Sequence, residues 1–259
     1  MNSMLPPKKK VILITGGATG LGHVIAEELC REHTVYCTSR DVKQEQEGGI
    51  RYVRMDITSE SDVREAISQI RNKEGSIDVI INNAGVTLSG PTLDFSAEDF
   101  KMLLDTNVVG GFRILKEVFR HNEKPERVIN ITSLNGFFSF PNFGIYSASK
   151  FASEALGLAL RYELGATTQV VNVSPGALLA ESQKKMPHKT AREKIKILNW
   201  LMPLTTKEDV ARVIAKLVRA KRVPAQVRIG RDAFIIHTLQ RCLPGFMFDK
   251  IVFFVWRKH

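Results

Sequence analysis

The chain has 259 residues, 44% of them hydrophobic and 25% charged, ordinary values for a soluble globular protein with a sizeable core and outside the range of disordered or fibrous chains. Its 37 basic and 27 acidic residues leave a formal charge of +10, yet the basic residues are dispersed and no recognition motif accompanies them, so nucleic acid is not expected as a partner. Residues 1–10 (MNSMLPPKKK) read as a flexible basic tail without the apolar segment of a signal peptide, and no apolar run approaches the ~20 residues that span a bilayer, so a cytoplasmic location is expected. Cys30, Cys37 and Cys242 are odd in number and lack metal-ligand spacing, which points to reduced thiols and no metal site.

Val11 to Thr15 (VILIT) is a continuous apolar, β-branched run, the pattern of a parallel strand covered on both faces. Gly16, Gly17, Gly20 and Gly22 follow at once and precede a helical pattern through Ala26 and Leu29. Glycine lets the loop backbone approach a pyrophosphate, and the helix N-terminus then faces its charge. The spacing differs from GxGxxG. Further strands are predicted near Thr34 to Thr38, Arg51 to Met55, Val79 to Ile81, Val128 to Ile131, Gln169 to Val173 and Gln226 to Ile229. Ser59 caps a helix running toward Glu74, Ser96 with Glu98 and Asp99 marks another start, and Thr206 with Glu208 and Asp209 a third. No linker or repeat interrupts this alternation. The expected fold is therefore a single α/β domain, a doubly wound parallel sheet of Rossmann type with helices on both faces, spanning 11–232 and followed by an apolar and basic extension over 233–259.

Ligands of such a sheet bind beyond the strand C-termini, and the chain's motifs fall there. Gly16 to Gly22 follows the first predicted strand, Asn82 to Gly85 the fourth, Ser133 the fifth, and Pro175 and Gly176 the sixth. Tyr146 and Lys150 lie four residues apart in YSASK, which places them on one helix face. A cation one turn from a phenol favours phenolate, moving a group that titrates near pH ~10 toward the range where acid–base catalysis operates.

Together these motifs identify the chain as resembling the short-chain dehydrogenase/reductase family in its compact single-domain form. TGGATGLG fits the family's TGxxxGxG, NNAG at Asn82 to Gly85 fits its structural motif, and Asn107, Ser133, Tyr146 and Lys150 fit its tetrad, so the resemblance covers nearly the whole chain. It implies an oxidoreductase in which a nicotinamide cofactor gives hydride to a carbonyl carbon, Tyr146 protonates the oxygen and Ser133 holds it by a hydrogen bond. Lys150 is implied to bias Tyr146 and hold the nicotinamide ribose, and Asn107 to anchor a water that replaces the proton. Cofactor contacts are implied for Gly16, Gly17, Thr19, Gly20, Leu21, Gly22, Asp56, Ile57, Asn83, Ala84, Gly85, Tyr146, Lys150, Pro175 and Gly176. The resemblance also implies a homodimer or homotetramer built through the helices carrying Asn107 and Tyr146.

Ser39 and Arg40 follow the second predicted strand, and no carboxylate occupies position 39. A hydroxyl followed by a guanidinium accepts a 2′-phosphate where a carboxylate would repel it, so NADP(H) is favoured over NAD(H), with Arg40 as a solvated charge beside Asp41 the alternative. Phe137, Phe138, Phe140 and Phe143 suit an apolar substrate or, equally, core packing or a subunit contact. Ala180 stands where the family carries threonine, with Ser182 close enough to substitute. Trp200 and Met202 are expected on a second pocket wall, and Lys184 to Lys196 reads as a lid or a solvated helix face. The C-terminal extension, with Phe246, Phe248, Ile251, Val252, Phe253, Phe254, Val255 and Trp256 before Arg257 and Lys258, reads either as packed on protein or as a peripheral membrane anchor. Two readings of the function stay open: an NADP(H)-dependent reductase of a lipophilic ketone or aldehyde, and an NADP(H)-binding regulatory or lipid-surface protein.

Overall fold

Val11–Thr15 (β1) is buried at every position because helices cover both faces of the sheet it occupies. Its side chains alternate between two cores. Ile12 and Ile14 pack with α1 (Gly20–Leu29) and with Val210, Ile214 and Val218 of a helix late in the chain, whereas Val11 and Leu13 face α2 (Glu60–Glu74) and Ile114 and Val118 of a helix beyond it. The computed structural model describes residues 9–42, 44–121, 124–178 and 204–257. Ala180, Ser182, Trp200, Met202 and the stretch Lys184 to Lys196 lie outside the described residues, as do residues 1–8.

Eight strands form one sheet in the order β3-β4-β2-β1-β5-β6-β7-β8. Here β2 is Thr34–Ser39, β3 Gln46–Glu47, β4 Ile50–Arg54, β5 Val79–Asn82, β6 Arg127–Ile131, β7 Gln169–Pro175 and β8 Gln226–Ile229. Seven strands run parallel; β3 is a two-residue antiparallel edge on β4. Exposed and polar, β3 has no apolar alternation to announce it in the sequence. The chain leaves β1 for β2 on one side and returns from β4 to β5 on the other, which opens a crevice above the C-terminal ends of β1 and β5.

Helix starts follow the expected caps. Ser59 accepts the Asp62 N–H, and Ser96 with Asp99 and Thr206 with Asp209 form capping boxes at α3 (Ala97–Leu104) and α6 (Lys207–Arg219). Between α3 and α4 (Gly110–Arg120) the helix widens to a π-helical turn over Asp105–Val109, which carries Asn107. The longest helix among the described residues, α5 (Gly144–Leu164), lies against β7 and carries Tyr146 and Lys150. Two further helices, α7 (Arg231–Cys242) and α8 (Gly245–Arg257), close the chain. Phe248 on α8 is buried edge-on against Phe138, centroids 5.1 Å apart, while Phe246, Met247, Ile251, Phe253 and Phe254 remain exposed. Among the described residues no helix is long and apolar enough to cross a membrane.

Candidate active site

The turn after β1 is shaped by contacts that only glycine permits. Gly16 and Gly20 have φ of +61° and +62°, and a Cβ at Gly22 would lie 2.5 Å from the Gly16 carbonyl oxygen and 2.6 Å from Asn83 Nδ2. Gly17 is pressed on Cys37 and donates its N–H to the Thr38 carbonyl at 3.1 Å. Thr15 Oγ1 accepts the N–H groups of both Asn83 and Ala84 at 2.9 Å, and Asn83 Nδ2 donates to the carbonyls of Thr15 and Gly16. The glycine turn and the Asn83–Gly85 segment therefore form one rigid floor. At its open side α1 begins after Thr19 with no side-chain cap and no acidic residue in its first turn, so the amides near Gly20 and Leu21 are free of competing carboxylates. This arrangement fits a dinucleotide pyrophosphate.

Ser39 and Arg40 sit at the end of β2, the serine half-buried and the arginine exposed. Asp56, after β4, accepts the Thr58 N–H at 2.9 Å and its hydroxyl at 2.7 Å on one oxygen, and these bonds hold its carboxyl below the usual range. The other oxygen leaves it capacity for a further donor. Ile57 beside it is buried against Gly110.

On α5, Tyr146 is half-buried and Lys150 is 6% exposed, its Nζ 5.8 Å from the Tyr146 ring centroid. The ammonium donates to the Ile131 carbonyl at 3.2 Å, and a Cβ at Gly85 would lie 3.7 Å from it and 3.1 Å from Asn107 Oδ1. The asparagine accepts the Val86 N–H and donates to the Val86 carbonyl and to Ser149 Oγ. Its own carbonyl accepts the Ser153 hydroxyl. Ser133 opens a short 3-10 turn over Leu134–Gly136, accepting the Asn135 N–H at 3.2 Å, and Asn135 Nδ2 reaches Ser147 Oγ beside Tyr146. Asn107, Lys150 and Gly85 thus converge on one point, and the Ser133 turn is tied to the start of α5. The geometry offers a phenol, a buried cation and a serine hydroxyl at the end of the sheet that carries the glycine turn.

Several contributors escaped sequence reading. Thr15 enters the sequence reading only as the end of the first strand and the first letter of TGGATGLG, and nothing in the sequence singles out Ser149 or Ser153. Asp232, 2% exposed at the start of α7, accepts the Ala177 N–H at 2.8 Å and closes over Gly176, where a Cβ would meet its Oδ1 at 1.9 Å. An acidic residue in the first turn of a helix after Gly230 was the available signal. Pro175 and Gly176 are buried, with the Gly176 N–H bonded to the Ile229 carbonyl at 2.7 Å. Of the loop phenylalanines, Phe138 is buried with Phe140 and Phe248, and Phe137 meets His237 edge-on at 5.3 Å. Phe143 lies 6.3 Å from Tyr146 between centroids. Behind Asn107 a cavity of about 40 Å³, lined by Asn82, Asn130 and Ser153 together with apolar side chains such as Ile57 and Leu115, lies between the sheet and α4 and α5 and is too small for a dinucleotide.

The family model for short chain dehydrogenases matches residues 10–191. A 3-ketodihydrosphingosine reductase of Bacteroides thetaiotaomicron is 39% identical over 158 residues, 60% of this chain and 58% of that protein. An NADPH-dependent 1-acyldihydroxyacetone phosphate reductase of Schizosaccharomyces pombe is 32% identical over 186 residues, 68% of this chain and 62% of that protein. The chain thus spans less than two thirds of the length of these two curated relatives. The solved structure of ElxO with NADP bound superposes with a TM-score of 0.76 at 27% identity, covering 86% of this chain and 97% of that one.

Proposed function

This chain belongs to the short-chain dehydrogenase family and is an oxidoreductase, and on that premise we propose that it reduces a lipophilic ketone or aldehyde with NADPH, Tyr146 giving the proton to the carbonyl oxygen. The observation that carries this reading is the convergence of Lys150, Asn107 and Gly85 one helical turn from the Tyr146 phenol. Gly16 to Gly22 and the N-terminus of α1 would hold the pyrophosphate, Asp56, Ile57 and Asn83 to Gly85 the adenosine and nicotinamide sides, and Pro175 and Gly176 the far wall. Bound NADPH supplies the hydride. The protein's part is to orient and to move one proton: Ser133 keeps a hydroxyl hydrogen with which to bond the carbonyl oxygen, and Tyr146 releases its own. Lys150 stabilises the charge left on the phenolate oxygen, and Asn107 keeps Gly85 and Val86 set against that ammonium.

NADP(H) is preferred to NAD(H) because Ser39 and Arg40 present a hydroxyl and a guanidinium where a 2′-phosphate would sit. The NADP-bound ElxO structure and the NADPH-dependent yeast relative support the choice. A lipophilic substrate is supported by the aromatic run from Phe137 to Phe143 and by two relatives named for a ketosphingoid and an acylated ketone phosphate. The experiment is turnover of a panel of carbonyl compounds with NADPH and with NADH, wild type beside Tyr146→Phe. Activity untouched by the substitution would remove Tyr146 as the proton donor.

Two associations extend the proposal. Val109 and Phe112 on the π-helical turn and α4, with Phe151 and Tyr162 on α5, are exposed, which favours a homodimer or homotetramer through these helices. Light scattering on wild type and a Phe112→Glu, Phe151→Glu variant tests it: a monomeric wild type excludes it. On α8, Phe246, Ile251, Phe253 and Phe254 are exposed together with Lys250, a composition that favours peripheral contact with anionic lipid over a wholly protein-packed tail. Liposome sedimentation at low and high salt, unchanged after removal of Phe246 to His259, would dismiss that contact.

A further inference from the structure

We infer that Glu154 is a positioning residue, one that sets Ser133 and the Pro175–Gly176 turn against the helix bearing Tyr146 and Lys150. Tyr146, Lys150 and Glu154 follow one another at four-residue intervals on α5, so they form a single polar stripe facing the sheet. Lys150 donates to the carbonyl of Ile131, and Glu154 takes the hydroxyl of Thr132 at 2.5 Å, so consecutive turns of the helix hold the two residues immediately before Ser133.

The carboxylate is 5% exposed and fully occupied. Its Oε1 accepts the hydroxyls of Thr132 and Ser174, the latter at 2.6 Å, and its Oε2 accepts the side-chain amides of Asn172 at 2.8 Å and Gln226 at 3.1 Å. Thr132 directly follows β6, Asn172 and Ser174 lie in β7 and Gln226 begins β8, so the donors span three adjacent strands, and Asn172 and Gln226 are paired across the β7–β8 register. Asn172 in turn accepts from Asn130, which accepts from Asn82 of β5. One carboxylate on the catalytic helix therefore ends an amide ladder that crosses four strands. Close packing reinforces the grip. A Cβ at Gly136, in the Ser133 turn, would lie 2.8 Å from Glu154 Cγ, and one at Gly157 would lie 2.0 Å from Asn172 Oδ1, so α5 meets both the turn and β7 at glycine contact distance.

A buried carboxylate that accepts four side-chain donors is held by them and holds them. Removing it takes from Ser174 its carboxylate acceptor and leaves Thr132 with the longer contacts to the Val173 carbonyl and Ser174 Oγ, both at 3.0 Å, and each precedes a segment of the site: Ser133 after the first, Pro175 and Gly176 after the second. The inference rests on the proposed carbonyl reduction. Its signature is that Glu154 acts through Ser133, which a general stabilising role would not produce.

The test is a mutant cycle of Glu154→Gln and Glu154→Leu, each with and without Ser133→Ala, read by kcat on the best carbonyl substrate, by NADPH affinity from fluorescence titration and by hydrogen exchange. Misplacing Ser133 is expected to lower kcat about 10- to 100-fold in Glu154→Leu and at least about threefold in Glu154→Gln, with NADPH affinity, altered only through the Pro175–Gly176 turn, weakened by a smaller factor than kcat in each variant. In the Ser133→Ala background either change costs less than about twofold more. Exchange rises at Thr132 to Asn135 and Ser174 to Ala177 and not in α2 or α6. The same loss of kcat with and without Ser133, or no loss in either variant, overturns the proposal; if Glu154→Leu does not fold, Glu154→Gln carries the comparison. A wild type inactive on every carbonyl defeats the proposed reaction instead, and exchange unaltered at these two segments in Glu154→Gln then defeats the positioning role by itself.

Discussion

Asn107 grips Val86 at both backbone polar groups, accepting its N–H on Oδ1 at 2.8 Å and donating from Nδ2 to its carbonyl at 2.9 Å. A side chain on a π-helical turn thereby stands in for a strand partner and fixes the loop after β5 beside Lys150. Asn107→Leu leaves both groups of Val86 and the Ser149 hydroxyl without this partner. Val86 is half-buried and Ser149 keeps its bond to the Tyr146 carbonyl, so the two Val86 groups are expected to cost about 2–4 kcal/mol together, in the lower part of the range of about 1–3 kcal/mol for each unsatisfied group. A fall of roughly 4–16 °C in thermal midpoint is the corresponding reading by calorimetry. An unchanged midpoint would mean that the loop finds other partners.

Gly22 has no room for a side chain, since a Cβ would meet the Gly16 carbonyl oxygen, Asn83 Nδ2 and Gly17 Cα all within 2.9 Å. Two of these are backbone atoms that cannot swing aside. Gly22→Ala is expected to push the glycine turn off the Asn83 floor at a cost of about 1–3 kcal/mol. NADPH titration should show affinity weakened about tenfold or more, while Gly20→Ala, where nothing lies within 4 Å of the added carbon but φ is +62°, suffers from backbone strain alone.

Arg40→Ala separates the two cofactors. If the guanidinium meets a 2′-phosphate, losing a charge-assisted hydrogen bond of about 1.5–3 kcal/mol weakens NADPH about 10- to 100-fold and leaves NADH nearly unchanged. Ser39→Asp is expected to go further and reverse the preference by repulsion. Equal loss for both nucleotides from Arg40→Ala would show that the arginine plays no part in discrimination.

The Cys37 thiol, buried beneath Gly17, is pushed up to about 12 by burial, which disfavours its charged form. Unfolded, it ionises near pH ~8.5. A folded pKa above the unfolded one means that the unfolded chain loses its proton first, so this site's contribution is intact below pH ~8.5 and declines as pH rises toward about 12. Between pH ~8 and ~10 the loss should be about 2 kcal/mol, absent in Cys37→Ala and measurable as the difference in urea midpoints. Iodoacetamide at pH ~8.5 should label exposed Cys242 and spare Cys37 until the protein unfolds.

Local chemistry was legible in the sequence wherever a residue's partners lie within a few positions of it. The VILIT run announced β1 because a strand covered on both faces needs apolar side chains throughout, and Ser96 with Asp99 announced α3 because a capping box closes over three residues. The edge strand β3 was silent, since two exposed polar residues carry no periodicity. β7 runs on to Pro175, beyond the Val173 expected from the apolar run, because Pro175 pairs with Ile229.

Motif spacing, the one-turn offset of Tyr146 and Lys150 and the glycine turn after β1 are properties of the chain alone, since helix periodicity and glycine's freedom hold wherever the segment sits. Tertiary structure decided what each of these residues touches. Asn107 finds Val86, Asp232 closes over Gly176, and Glu154 gathers Thr132, Asn172, Ser174 and Gln226 from three strands. Hydrogen bonds between segments 18 to 72 residues apart depend on how strands are ordered and registered, and that ordering comes from packing two helix layers on one sheet rather than from any local run of sequence.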